Sequence, residues 1–150
     1  MATEESLYRC VNRAIVDEQR RVKMVRQAHP RVKHRITDYA AAVVACGCIN
    51  NSRTFSGYSA SPNGHHFSDK IRVRLEHLAP IGSKRKECKN IIGACAEPHA
   101  ADKVIKACPA CNITQLQFSD AYRPRTGRRI RYCQNCKDTF PDVLLLRFCS

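Results

Sequence analysis

Three cysteine patterns close together constrain this chain more than any other feature. Cys95 stands two residues before Glu97, and two C-x-x-C pairs follow at Cys108 and Cys111 and at Cys133 and Cys136. Joined together, the two pairs make a closed four-thiolate zinc ribbon, with 21 residues between Cys111 and Cys133, just outside the usual interval. Alternatively, Cys95 joins the second pair as a three-thiolate site with an open position, and Glu97 stands beside it as a carboxylate that is not a ligand. The thiolates of Cys133 and Cys136 cannot serve both sites, so the two readings exclude each other.

The ten cysteines also raise the question of redox state. The opening "MATEESLYRC" lacks the basic-then-apolar layout of an export signal, and no apolar run approaches the roughly 20 residues needed to cross a bilayer. The chain is therefore expected to be soluble, either cytoplasmic or delivered into a target cell. Metal binding or reduced thiols are favoured over a disulfide framework. Cys10, Cys46, Cys48, Cys88 and Cys149 are expected to be buried as small hydrophobes. Lys and Arg number 26 against 13 Asp and Glu, a formal charge of +13. A field of that sign concentrates polyanions, which makes nucleic acid the expected partner, with a merely solvated basic surface as the plain alternative.

At 150 residues the chain fits one domain. Leu7, Val11, Ile15, Val22 and Val25 predict a helix over 6–28, capped by Thr3 with Glu4 and Glu5 in its first turn and ended by His29-Pro30. Residues 1–36 are read as this basic helix and its linker, and 37–150 as the body of the domain. Segments 38–47 and 53–61 flank the turn cluster "CINNS" and predict a β-hairpin. A short helix follows, capped by Ser68 or Asp69, with Ile71, Leu75 and Leu78 on one face. Another is expected over 95–106 with Ala100, Ala101, Val104 and Ile105 inward. "NITQLQFS" predicts a strand, "RPRTGRR" a basic loop, "CQNCKDTF" a helix start and "DVLLLRFC" a closing buried strand. This order predicts an α/β fold, a three-layer α/β/α sandwich with a mixed sheet.

Cys95 and Glu97 fall in the first turn of the 95–106 helix, whose dipole favours a thiolate there, and Pro98 is tolerated at that position. The 35 residues between Glu97 and Cys133 leave room for a helix, a strand and a loop before the second pair. "GACAEPHAADKVI", "LQFSDAYRPRTG" and "YCQNCKDTF" together resemble the cytidine-deaminase-like superfamily, most nearly the bacterial polymorphic-toxin deaminases with a C-A-E and C-x-N-C layout. The resemblance spans roughly 39–148 and is specific over 93–140. It implies Zn²⁺ on Cys95, Cys133 and Cys136, Glu97 as proton shuttle, and hydrolysis of cytosine to uracil in a nucleic acid that is single-stranded or has its base flipped out. It also implies a toxin or effector domain with a cognate immunity protein. The family's usual Pro before the C-x-x-C is Tyr132 here, and a guanine or adenine target fits the same layout.

Two further functions remain open on these residues. A free cytidine or nucleoside deaminase would share the chemistry without needing a basic surface. A zinc-ribbon nucleic-acid-binding module would use Cys108, Cys111, Cys133 and Cys136. Arg123, Arg125, Arg128 and Arg129 are candidates to grip phosphates, or else form an exposed basic turn. Tyr58 and Phe55 are candidates to stack on a base, or else belong to the core. His65, His66, His77 and His99 are pocket candidates or surface residues, and Arg131 is a candidate to offset the charge of the thiolates.

Overall fold

The computed structural model describes residues 2–85 and 90–143. Helix α1 spans Glu4–Ala28 and begins in a capping box, with Ser6 N–H donating to Thr3 Oγ1 at 3.0 Å and Thr3 N–H donating to Ser6 Oγ at 2.8 Å. Its buried stripe is Leu7, Val11, Ala14, Ile15, Glu18 and Val22. Val25, expected in that stripe, is exposed. A 25-residue helix is roughly 37 Å long and a six-residue strand about 20 Å, so the last turns of α1 outrun the sheet.

Strand β1 (Val43–Cys48) is buried along its whole length and forms the centre of the sheet. Val43 and Ala45 face α1, whereas Val44, Cys46 and Cys48 face the opposite core, the alternation a strand imposes. Strand β2 (Thr54–Tyr58) pairs with one edge of β1, from Val43 opposite Tyr58 to Gly47 opposite Thr54. On the other edge lie β3 (Leu116–Phe118) and β4 (Ala121–Arg123). Cys46 pairs with Phe118 and Val43 with Tyr122, so one extra residue is accommodated between them, as in a β-bulge. The Ser119 hydroxyl fills the gap in the ladder by accepting the Ala45 N–H at 2.8 Å.

Strand β5 (Arg128–Ile130) returns against β4. The expected basic loop "RPRTGRR" is thus a hairpin, turning at Gly127 with φ +71°. The order is β2-β1-β4-β5 with β3 also beside β1, and every pairing among the described residues is antiparallel. The closing strand expected over 142–149 lies outside the described residues from 144 onward, and Asp142 and Val143 form part of a helical turn. Two expected strands are also shorter than their apolar patterns. Ile36–Asp38 and Ile113–Gln115 form single 3₁₀ turns ahead of β1 and β3.

Helices α2 (Asp69–Leu78), α3 (Ala96–Ala107) and α4 (Gln134–Thr139) contribute to the core on the sheet face opposite α1, giving an α/β fold with helices on either side. Ile71, Leu75, Ile92, Val104, Phe118 and Phe140 fill that core. No helix among the described residues is long and apolar enough to cross a membrane.

Helix α3 is held to β1 and β2 at both ends. At its start a Cβ on Gly57 would sit 2.3 Å from Ala100 N and 2.7 Å from Ala96 O. Both are backbone atoms, so Gly57→Ala has no soft neighbour to displace. It is expected to destabilise by about 2 kcal/mol or more, with a Tm drop of about 4–8 °C in a thermal melt. At its far end Cys111 forms a disulfide with Cys48, 63 residues away. This corrects the expectation of a reduced Cys48, because its partner becomes visible only once the sheet is assembled. Reduction, or Cys48→Ser, is expected to cost about 3–4 kcal/mol in chemical denaturation.

Candidate metal centre

Cys95 is the N-cap residue of α3 and Cys133 that of α4, so both sulfurs stand at helix starts, where the backbone dipole favours negative charge. Cys136, one turn further along α4, is buried. The ligand atoms of Cys95, Cys133 and Cys136 all lie within 4.8 Å of one another. Cys95 Sγ is 2.7 Å from Cys133 Sγ, which is too long for a disulfide, and Cys133 Sγ is 3.4 Å from Cys136 Sγ. Cys136 Sγ donates to Glu97 Oε2 at 2.7 Å.

Glu97 is only 3 % exposed. Burial pushes its pKa up to about 7, assisted by the nearby Cys133 sulfur and opposed by the Cys136 hydrogen bond. Among the sulfurs, hydrogen bonding with Cys136 and then with Cys95 pulls Cys133 far below the usual thiol range. Cys95 is pushed up, first by its bond to Cys133, and Cys136 is pushed up, first by burial.

These residues fit a cation. A tetrahedral ion bound at about 2.3 Å by each sulfur keeps the sulfurs about 3.8 Å apart, so the three need part by only about 1 Å to accept one. Three converging thiols can hold a metal ion, and the buried carboxylate beside them does not complete a four-sulfur shell. The ribbon set does not assemble, because Cys111 is bonded to Cys48 and, among the described residues, Cys95 is what joins Cys133 and Cys136.

Several residues position this group. Tyr132, in place of the expected Pro, is buried and its hydroxyl donates to Ser119 O, which anchors the approach to Cys133 in the sheet. Asn135, between the two cysteines of α4, donates from Nδ2 to Asn90 O at 3.0 Å and ties α4 to the segment leading into α3. Arg85 pairs with Asp138, and Arg74 makes a bidentate pair with Asp142 at 2.6 and 2.8 Å.

Asp102, on α3, is 1 % exposed and accepts from Ser68 N–H at 2.7 Å, with His65 Nε2 at 2.9 Å and Lys106 Nζ at 2.7 Å. Burial raises its pKa, but Lys106, Ser68 and His65 together outweigh that and hold it below the usual carboxylate range. Sequence reasoning missed Asp102. Its one signal is a carboxylate between Ala101 and Val104 on a helix face otherwise apolar.

The other sequence candidates divide by location. Tyr58 is on the α1 face and donates its hydroxyl to Ala14 O at 2.7 Å, with burial raising its pKa to about 12. It joins helix to sheet and is not at the metal group. Phe55 packs against the core with Arg53 over its ring. His99 is buried with Nε2 2.9 Å from Gly93 O, edge-on to His65, while His66 and His77 are exposed. Arg131 is exposed. Arg123, Arg125, Arg128 and Arg129 belong to the β4–β5 hairpin, whose turn projects past the row Tyr58, Val43, Tyr122. The start of α3 lies at that same end of the sheet, because Ala60 N–H donates to Ala94 O at 2.9 Å. Cys88 and Cys149 lie outside the described residues.

No family model, curated protein or solved structure matches this chain.

Proposed function

We propose that the chain is a zinc-dependent nucleobase deaminase that converts cytosine to uracil in a nucleic acid, acting as a toxin or effector domain. One observation carries this reading. The carboxylate of Glu97 is buried within the cysteine group, 2.7 Å from Cys136 Sγ, with a pKa near neutrality. A purely structural site has no use for an acid there, whereas hydrolytic deamination needs a proton carrier beside the reacting water.

Cys95, Cys133 and Cys136 would hold Zn²⁺, which supplies a Lewis acid able to ionise a water near neutral pH. Glu97 accepts the proton of the water that attacks C4 and delivers it to N3. It then takes the proton of the new C4 hydroxyl and passes it to the departing amino group, so that the C4–N bond breaks, the C4 carbonyl forms, and cytosine and water leave as uracil and ammonia. The burial that raises the Glu97 pKa in the metal-free fold also keeps bulk water from the exchange. The resemblance to toxin deaminases extends the proposal to a cognate immunity protein as partner.

The test is uracil or uridine formation, measured by mass spectrometry, from cytosine-containing single-stranded DNA, single-stranded RNA and free cytidine offered separately. Product from a polynucleotide supports the proposal and identifies the sugar. Product from cytidine alone assigns a nucleoside deaminase instead. No product from any of the three, with the metal bound by Cys95, overturns it.

A further inference from the structure

A second concave surface lies outside the metal centre. Two adjoining clefts follow the C-terminal half of α1, one of roughly 580 Å³ bordered by Arg21, Ser59 and Arg123, the other of roughly 640 Å³ bordered by Lys23, Arg26 and His34. They meet at Tyr39 and Arg125, which line both.

The charge of this surface is one-sided. Its two carboxylates are already engaged. Glu18 accepts from Arg21 Nε and from Ala40 N–H, each at 2.6 Å, and Asp38 accepts from Arg26 at 3.2 Å and from Arg35 N–H at 3.0 Å. Lys23, Arg123 and Arg125 have no acidic partner among the described residues. Tyr39 is half-buried between the clefts, with the Arg26 guanidinium 5.2 Å from its ring centroid. A basic groove interrupted by an aromatic ring is how proteins hold a single nucleic-acid strand, with cations on the phosphates and the ring against a base.

The clefts also lead toward the metal centre. The wall of the first ends at Ser59, and the next residue, Ala60, donates to Ala94 O at 2.9 Å, immediately before Cys95. Ser59 and Cys95 are therefore within roughly 13 Å, counted along those Cα steps. We infer that this double cleft is the track for a single-stranded polynucleotide, its phosphates on Lys23, Arg123 and Arg125 and one base against Tyr39. The inference rests on the proposed deamination and deepens it, because a free nucleoside would leave the track unused. An acidic polypeptide would satisfy the cations but offers nothing to the Tyr39 ring.

The test is fluorescence anisotropy of a labelled 20-nucleotide C-rich strand, as DNA and as RNA, with the full chain carrying Glu97→Gln to prevent turnover. Lys23→Glu with Arg125→Glu is expected to weaken binding about 100-fold at 50 mM salt and to flatten the slope of log K against log salt by about 1.4. Tyr39→Leu is expected to weaken it about tenfold with the slope unchanged. Arg9→Glu with Arg13→Glu, an equal charge reversal on exposed residues of the N-terminal half of α1 that line neither cleft, is expected to stay within threefold. Equal weakening by the distant pair, no effect of Tyr39→Leu, or polyglutamate competing as well per charge as the oligonucleotide would each overturn the inference. The relative affinity of the two strands distinguishes DNA from RNA as the occupant. Binding is read without turnover, so failed deamination leaves this result standing, and failed binding leaves the chemistry of the metal centre standing.

Discussion

Glu97→Gln is expected to lower the deamination rate about 10²–10⁴-fold while the metal remains bound. The amide fills the same space, and Glu97 is not among the three sulfur ligands, so the sulfur cluster keeps its geometry. What it loses is the ability to take a proton from water and return it to the base. Single-turnover product formation measured beside metal content separates the two effects. Retained activity, or loss of metal, would remove Glu97 from its proposed role.

The same substitution has the opposite sign for the stability of the metal-free protein. Burial raises Glu97 from 4.5 to about 7 in the fold. A raised folded pKa contributes stability that is fully present below about pH 4.5 and is lost as pH rises through about 7. Chelated Glu97→Gln protein is therefore expected to match the wild type near pH 4 and to exceed it by about 3 kcal/mol at pH 8. Denaturant melts at the two pH values check this, and a gap that closes as pH rises would contradict it. The group that lowers stability above neutral pH is thus the one proposed to carry the proton.

The second large effect separates the two cysteine pairings. Cys95→Ser and Cys133→Ser are each expected to reduce bound metal from one equivalent to near zero and to abolish product formation. Cys108→Ser is expected to retain both, since Cys108 is half-buried at the end of α3 and outside the sulfur cluster. Because the ligands must ionise to bind, metal uptake in each case releases protons and strengthens as pH rises. Loss of metal from Cys108→Ser with retention in Cys95→Ser would restore the four-sulfur ribbon and remove the enzyme reading altogether. Mass spectrometry under native conditions, alongside activity, reads both quantities on the same sample.

The helices were legible wherever chemistry and periodicity agreed. Thr3 with two glutamates marks the start of α1, and Cys95 with Pro98 marks that of α3, because capping is written locally in the chain. The Cys95, Glu97, Cys133 and Cys136 cluster was legible for the same reason, with both of its halves lying at helix starts. Pairings across long separations left no such trace. Cys48 meets Cys111 only because β1 and the loop after α3 are brought together by the sheet. The β4–β5 hairpin was obscured by arginines, which at a sheet edge carry no alternation of apolar and polar residues. Tyr58 looks the same in sequence whether it stacks on a base or donates to Ala14, and only the face of the sheet decides between them.

The irregularity at Ser119 and Asp120 reaches well beyond its own position. Leu116 and Phe118 point into the core beneath α3, and an unbroken strand would send residue 122 there as well. The extra residue puts Ala121 on that side instead and turns Tyr122 toward α1. Everything downstream inherits the new phase. Arg123 and Arg128 share the side of Ala121, and Arg129 shares that of Tyr122. The parity of a single residue thus decides which arginines of the hairpin look toward each side of the molecule. A one-residue deletion there would leave the composition and charge of the hairpin almost untouched while exchanging its two faces. A substitution at either position would leave that phase unchanged, whereas a change of length would not.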